Sequence, residues 1–140
     1  MNMRYAVMLA ADDNGTILVT VPDIPEAVTF GEDREDALAR AVDAIETALC
    51  GFIESREPIP RPRSKGKEGV TLPALTVAKI GLYEAMRTDK IGKAALARKL
   101  GVALPQIDRL LDLRHHSRMD AVERALLALN RTLTVSVKAA

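Results

Sequence analysis

Gln106 and Arg109 stand three residues apart in the run KAALARKLGVALPQIDRLL, from Lys93 to Leu111. On a helix that spacing puts both side chains on one face. Gln pairs bidentately with adenine and Arg with guanine, so the two are suited to reading base edges in a major groove. Lys93, Lys99, Arg114 and Arg118 lie around them and are suited to phosphates, which position a protein on DNA. Other chemistry fails on spacing. Asp12, Asp13, Asp43 and Glu46 are the carboxylates nearest to a nuclease set, but two-metal hydrolysis needs carboxylates that converge. A turn and a solvated helix face do not bring these four together. A calcium loop at Asp12-Asp13 lacks its further oxygen ligands. His115 and His116 are the only histidines and are adjacent, so they cannot face one zinc together. The single cysteine, Cys50, excludes an internal disulfide and a cysteine-based metal site; it reads as a small core residue. No metal or other cofactor is expected.

The elements that must hold Gln106 and Arg109 are two short helices. Leu96, Ala97 and Leu100 recur at helical spacing before Gly101, and Ile107, Leu110 and Leu111 after it. Gly101 permits the sharp corner, because glycine tolerates positive φ. Ala97 is small where the helices approach, and Val102 would plug their angle. Pro105 is tolerated in the first turn of the second helix. The order Leu-Ala-x-x-Leu-Gly-Val, followed by Ile and Leu at these offsets, resembles the helix-turn-helix of the Cro/λ-repressor-like (Xre-type) family. Ala103 departs from it, standing where that family usually caps the recognition helix with Ser or Thr.

The charge is divided along the chain. Residues 1–57 carry four basic and twelve acidic side chains, a net of −8; residues 58–140 carry sixteen and seven, a net of +9, which together recover +1. Two halves of opposite sign imply two partners. The basic half suits a phosphate backbone, and the acidic half suits a basic protein. With two Tyr, two Phe and no Trp, stacking platforms for single strands are not expected. No apolar run approaches the roughly 20 residues that span a membrane, and the brief apolar run in MNMRYAVMLAADD is too short for a signal peptide. The expected location is the cytoplasm.

The first half alternates like strands. Arg4 to Ala11 is one strand, Asn14-Gly15 is a hairpin signal, and Thr16 to Val21 returns with Ile17, Val19 and Val21 on one face. Pro22 and Pro25 stiffen a loop. Ala27 to Gly31 is a third strand, and Asp33 caps a helix of about five turns with Leu38, Val42, Ile45, Leu49 and Phe52 or Ile53 as its apolar stripe. The run VTVPDIPEAVTFGEDREDALARAVDAIETAL is similar to the N-terminal domain of HicB antitoxins, through Val21-Pro22-Asp23-Ile24-Pro25, Thr29, Gly31 and Glu35-Asp36-Ala37-Leu38. The resemblance implies a truncated ribonuclease-H-like fold that lies against a small basic ribonuclease, the toxin HicA, and blocks its active site. Glu26 stands where that family usually has Gly, and Asp33 where it often has Thr.

Glu57 to Gly69, EPIPRPRSKGKEG, reads as a linker, extended through its prolines and looser after them. Val70 to Leu72 is expected to return as a fourth strand. Pro73 starts the second domain, whose first helix carries Leu75, Ala78, Lys79, Leu82, Tyr83 and Met86 along one stripe. Asp112 to Arg118 reads as a basic loop, Met119 to Leu129 as a helix, and Arg131 to Val137 as an alternating terminal strand that would need a partner, such as its own symmetry mate. HicB proteins with this kind of second domain resemble nearly the whole chain.

The expected fold is thus α+β: a β-β-β-α-β partial ribonuclease-H-like domain over residues 1–72, then an all-α helix-turn-helix domain with a C-terminal strand over 73–140. The expected function is an antitoxin that neutralises a HicA-like mRNA-cleaving toxin and, as a homodimer or a tetramer, represses its own operon on double-stranded operator DNA. Asp23, Glu26, Glu32 and Glu35 are the expected toxin contacts. Two alternatives stand beside it. One is a stand-alone Xre-type repressor with an oligomerising or ligand-sensing first domain. The other is an active ribonuclease-H-type nuclease, which the carboxylate placement disfavours.

Overall fold

A computed structural model of the chain describes residues 3–139; Met1, Asn2 and Ala140, the extreme ends of the two expected domains, lie outside it. It contains both sheets and helices and divides into two compact units, Met1–Val77 and Ala78–Ala140.

In the first unit the expected opening strand is broken in two. β1 (Arg4–Ala6) pairs antiparallel with β5 (Gly69–Thr71), whereas β2 (Met8–Ala11) pairs antiparallel with β3 (Ile17–Thr20). The break falls at Val7, which is buried and whose N–H donates to the Glu68 carbonyl at 3.1 Å. The chain changes ladder partner there, so one strand serves two sheets. β4 (Val28–Gly31) completes the order β2-β3-β4, with Val19 opposite Thr29 and Leu18 opposite Phe30. The β2–β3 hairpin closes through a three-residue loop: Asp12 N–H donates to the Thr16 carbonyl (2.8 Å), Gly15 N–H to that of Asp12 (3.1 Å). Gly15 alone takes positive φ, 85°, which is the left-handed position such a loop requires.

α1 (Arg34–Glu54) begins at Asp33, whose carboxylate accepts from the Asp36 N–H at 2.8 Å, as the sequence leads one to expect of a cap. Its buried face is Ala37, Ala41, Ile45, Leu49 and Ile53; Ile45, Leu49 and Ile53 stand where the stripe predicts, but in the first two turns Ala37 and Ala41 are buried while Leu38 and Val42 are only half-buried. Close approach is the cause. A Cβ on Gly31 would lie 2.4 Å from the Ala37 Cα, so β4 and α1 meet where neither carries bulk. Cys50 is half-buried on the flank of this helix rather than in the core.

The Glu57–Gly69 segment forms no helix or strand before Gly69, and it is pinned along its length. Ile59 is buried, the Tyr5 hydroxyl donates to the Pro60 carbonyl at 2.5 Å, and Arg34 pairs with Glu68 at 2.6 Å.

α2 (Ala74–Asp89) crosses the division between the units. The second unit continues with α3 (Lys93–Leu100), α4 (Leu104–Leu111) and α5 (Met119–Ala128) around Ile80, Leu82, Leu96, Ile107, Leu111, Val122 and Leu126. The predicted C-terminal strand is corrected: residues 131–139 form no strand, and Val135 and Val137 are 71% and 93% exposed. Alternation prepares a strand, but a ladder needs a second row of backbone groups, and no strand among the described residues pairs with this run. Among the described residues no helix is long and apolar enough to cross a membrane.

Candidate functional site

The corner between α3 and α4 forms as its residues dictate. Gly101 sits at φ 67° and ψ 34°; its N–H donates to the Arg98 carbonyl (3.3 Å) and that of Val102 to Ala97 (3.0 Å). These two bonds are a Schellman ending, which closes the open carbonyls of α3 and turns the chain at once. Leu96, Ala97, Ile107, Leu110 and Leu111 are buried, so the two helices share one core. α4 therefore shows its other face to solvent, and Gln106 and Arg109 are both exposed on it.

Ala103 gives α4 no side-chain cap. Gln106 supplies part of what is missing: its Oε1 accepts from the Ala103 N–H at 3.3 Å, reaching back from the third helical position. The side chain with base-reading chemistry is thereby also tethered to the start of its helix.

Of the basic candidates, Lys93 pairs with Asp108 at 2.8 Å, and Arg118 pairs with Asp120 through two bonds of 3.1 and 3.2 Å. Both pairs are exposed, where an ion pair contributes little, so either cation can turn to another anion at little cost. The Arg118 guanidinium holds the Asp120 carboxyl below the usual carboxylate range. Lys99, Arg109 and Arg114 are exposed. His115 and His116 are also exposed, and His115 Nδ1 lies 3.0 Å from the Ser117 hydroxyl.

Beneath this surface lies a group that the sequence reading did not single out as functional. Lys79 is fully buried, and its ammonium donates to the carbonyls of Arg109 (2.9 Å), Asp112 (2.7 Å) and His115 (2.7 Å). It thus ties α2 to the end of α4 and to the basic loop after it. The available signal was a lysine at a core position of an otherwise apolar stripe.

The four acids expected at a partner surface fall into two places. Asp23 and Glu26 precede β4, whereas Glu32 and Glu35 follow it, so a strand of four residues, about 13 Å, separates the pairs. Asp23 is half-buried and occupied: its carboxylate accepts from the backbone N–H of Arg63 and Ser64 (2.9 Å each) and from the Ser64 hydroxyl (2.8 Å). Burial pushes its pKa up, but the bonds from Ser64 and Arg63 outweigh that and hold it below 3.8. Glu26, Glu32 and Glu35 are exposed. Glu26 also lines a groove of about 350 Å³ between β4 and α1, with Arg40, Asp43 and Thr47 on the opposite wall. Among the described residues no three His, Cys, Asp or Glu side chains gather to hold a metal ion.

The sheet presents one more surface. Register puts Met8, Thr20 and Val28 in one row, and Ala10, Leu18 and Phe30 in the next, on one face. The other face, with buried Val19 and Gly31, is the one α1 covers. Met8, Val28 and Phe30 are 62, 52 and 47% exposed.

Comparison with known proteins decides the family. A family model described as the HicB-like antitoxin of bacterial toxin–antitoxin systems matches residues 4–81. The chain belongs to that family. Similarity also runs past the matched segment. Antitoxin HicB of Pseudomonas fluorescens (strain Pf0-1) is 42% identical over 146 aligned positions, which take in 99% of this chain and 100% of the relative. Antitoxin HicB 1 of Photorhabdus laumondii is 37% identical over 137 positions, covering 98% and 88%. Antitoxin HicB of Escherichia coli (strain K12) is 35% identical over 135 positions, covering 95% and 98%. Both units of this member of the HicB-like family therefore have counterparts in curated antitoxins.

Proposed function

We propose that the chain is a cytoplasmic antitoxin that binds a small basic HicA-like, mRNA-cleaving toxin through residues 1–72 and represses its own operon through residues 73–140. The observation that carries this reading is the similarity to antitoxins along nearly the whole chain, both halves included. In it the acidic half occludes the toxin by shape and charge, without a catalytic step, metal or cofactor. The partial ribonuclease-H-like fold is then a binding platform. The α3–α4 pair is an Xre-type helix-turn-helix with α4 as recognition helix. The Schellman corner at Gly101 and the exposure of Gln106 and Arg109 support that assignment.

Two recognition helices in successive major grooves must lie about 34–36 Å apart, which requires a homodimer. In that dimer the alternating run Arg131 to Val137, which forms no strand in the single chain, becomes one by pairing with its symmetry mate, and pairing of dimers would give a tetramer. Gln106 and Arg109 read bases while Lys93, Lys99, Arg114 and Arg118 hold phosphates.

The test is twofold. The purified chain should abolish RNA cleavage by the toxin at a fixed stoichiometry and shift a DNA fragment from its own promoter. Gln106→Ala should cost about 1–3 kcal/mol on that operator and relax preference at one base pair. Equal weakening on all sequences would assign Gln106 to capping alone. Promoter binding with no effect on the toxin would instead favour the stand-alone repressor.

A further inference from the structure

The β2-β3-β4 sheet is covered by α1 on one face only, and the open face is apolar where a solvent-facing sheet is normally polar. Its centre is Met8, Leu18, Val28 and Phe30, and three of these four are about half exposed or more. Carboxylates stand at its ends. Glu26 precedes and Glu32 follows β4, while Asp12 and Asp13 follow β2 at the hairpin; all four are exposed. An apolar centre with a charged rim is the anatomy of a protein interface.

The charge selects the occupant. Phosphate-rich nucleic acid and anionic lipid are repelled by four carboxylates. A second copy of the same face would set these acids against their own kind, and like-charge juxtaposition disfavours a partner. A basic protein with an apolar patch meets both the rim and the centre. We infer that this open sheet face, with Phe30, Val28 and Met8 at its centre and Glu26 and Glu32 at its rim, is the surface on which the antitoxin holds its basic toxin. The inference rests on the antitoxin reading above. It moves the centre of the interface from acidic residues to apolar ones: Glu26 and Glu32 stay as rim contacts, Asp23 is spent on Arg63 and Ser64, and Glu35 lies on α1.

The experiment uses the full chain and the HicA-like toxin co-expressed with it, and reads the dissociation constant, inhibition of RNA cleavage and the oligomeric state of the antitoxin. Phe30→Glu puts a charge at the centre and should weaken toxin binding by at least about tenfold, the cost of one desolvated interface anchor. Met8→Thr with Val28→Thr keeps strand-forming residues on both outer strands. It is the safeguard against a variant that fails to fold, and it should weaken binding in the same direction with unfolding temperature unchanged. Glu26→Lys with Glu32→Lys should slow association and reduce its dependence on salt. If the folded variants bind within twofold of wild type while wild type inhibits the toxin, the face is overturned and the antitoxin reading stands. If wild type neither binds nor inhibits the toxin, the antitoxin reading falls and takes this inference with it. If the variants lose self-association and keep the toxin, the face joins two copies and the inference is refuted.

Discussion

Lys79→Met removes one ammonium and little else, since methionine keeps an unbranched apolar stem in a fully buried position. The cost is bounded by what each acceptor retains. The Arg109 carbonyl still accepts from Asp112 N–H and the Ser117 hydroxyl (3.3 Å each), that of Asp112 from His115 N–H (3.1 Å), and that of His115 from Ser117 N–H (2.9 Å). None of these three carbonyls is orphaned, so what they lose is their charge-assisted bonds to the ammonium, offset by no longer burying a charge. Such bonds contribute about 1.5–3 kcal/mol each before that offset, and burying the ion costs several kcal/mol. A net destabilisation of about 2–4 kcal/mol follows. Urea unfolding of the second unit, with a slope of about 1 kcal/mol per molar for so small a unit, should show a midpoint lower by about 2 M or more. Amide exchange should quicken from Asp112 to Ser117 before it does in α3. Lys79→Arg should fall between the two, because a planar fork cannot meet three carbonyls arranged around one point. A Met variant as stable as wild type would refute the reasoning, since the ammonium would then contribute no net stability to the end of α4.

Gly31→Ala should destabilise the first unit by about 2–3 kcal/mol in thermal unfolding, because its Cβ would sit 2.4 Å from the backbone of Ala37 and neither element can yield without opening the α1–sheet contact. Asp23→Asn should speed tryptic cleavage after Arg63 and Lys65 by loosening the segment that the carboxylate holds. Asp23 has a folded pKa below 3.8, so its stabilisation is complete above that value and is lost as pH falls through the lower folded value; the wild-type advantage over Asn should therefore fade in acid unfolding curves. Arg56→Gly should stabilise by about 0.5–1 kcal/mol in urea, because Arg56 ends α1 at φ 59°, a left-handed position that strains any residue with a Cβ.

Much of the second unit was legible because its signals are local. Leu96, Ala97 and Leu100 set a helical stripe, Gly101 turns the chain, and the bonds that close the turn reach only three and five residues back. The same holds for Asp33, which caps α1 through a residue three positions on. What the sequence concealed is long-range. Nothing in Arg4 to Ala11 marks Val7 as the break, because the break comes from the Glu68 carbonyl, far along the chain. Periodicity placed Ile45, Leu49 and Ile53 inward but missed the first two turns of α1, where Gly31 lies against Ala37 and the alanines, not Leu38 and Val42, are buried. The terminal run from Arg131 to Val137 shows the converse, a local pattern without the second row of backbone groups that would make it a strand.

The candidate sites divide on the same line. Side chains suited to a task could be read from type and spacing, but their existing engagements could not. Asp23 looked like a partner contact and holds Ser64; Gln106 looked like a base reader and also tethers Ala103; Lys79 looked like part of a stripe and organises the end of α4. A charge is most available to a partner when the fold has not already used it, which favours Glu26 and Glu32 over Asp23. Apolar residues follow the opposite logic. Val28 and Phe30 alternate with buried Ala27 and Gly31, a pattern in which the outward positions should be polar. Their apolar character is unsatisfied within the chain, and that makes the open face of the sheet, rather than the acids around it, the element whose mutation should separate folding from toxin binding.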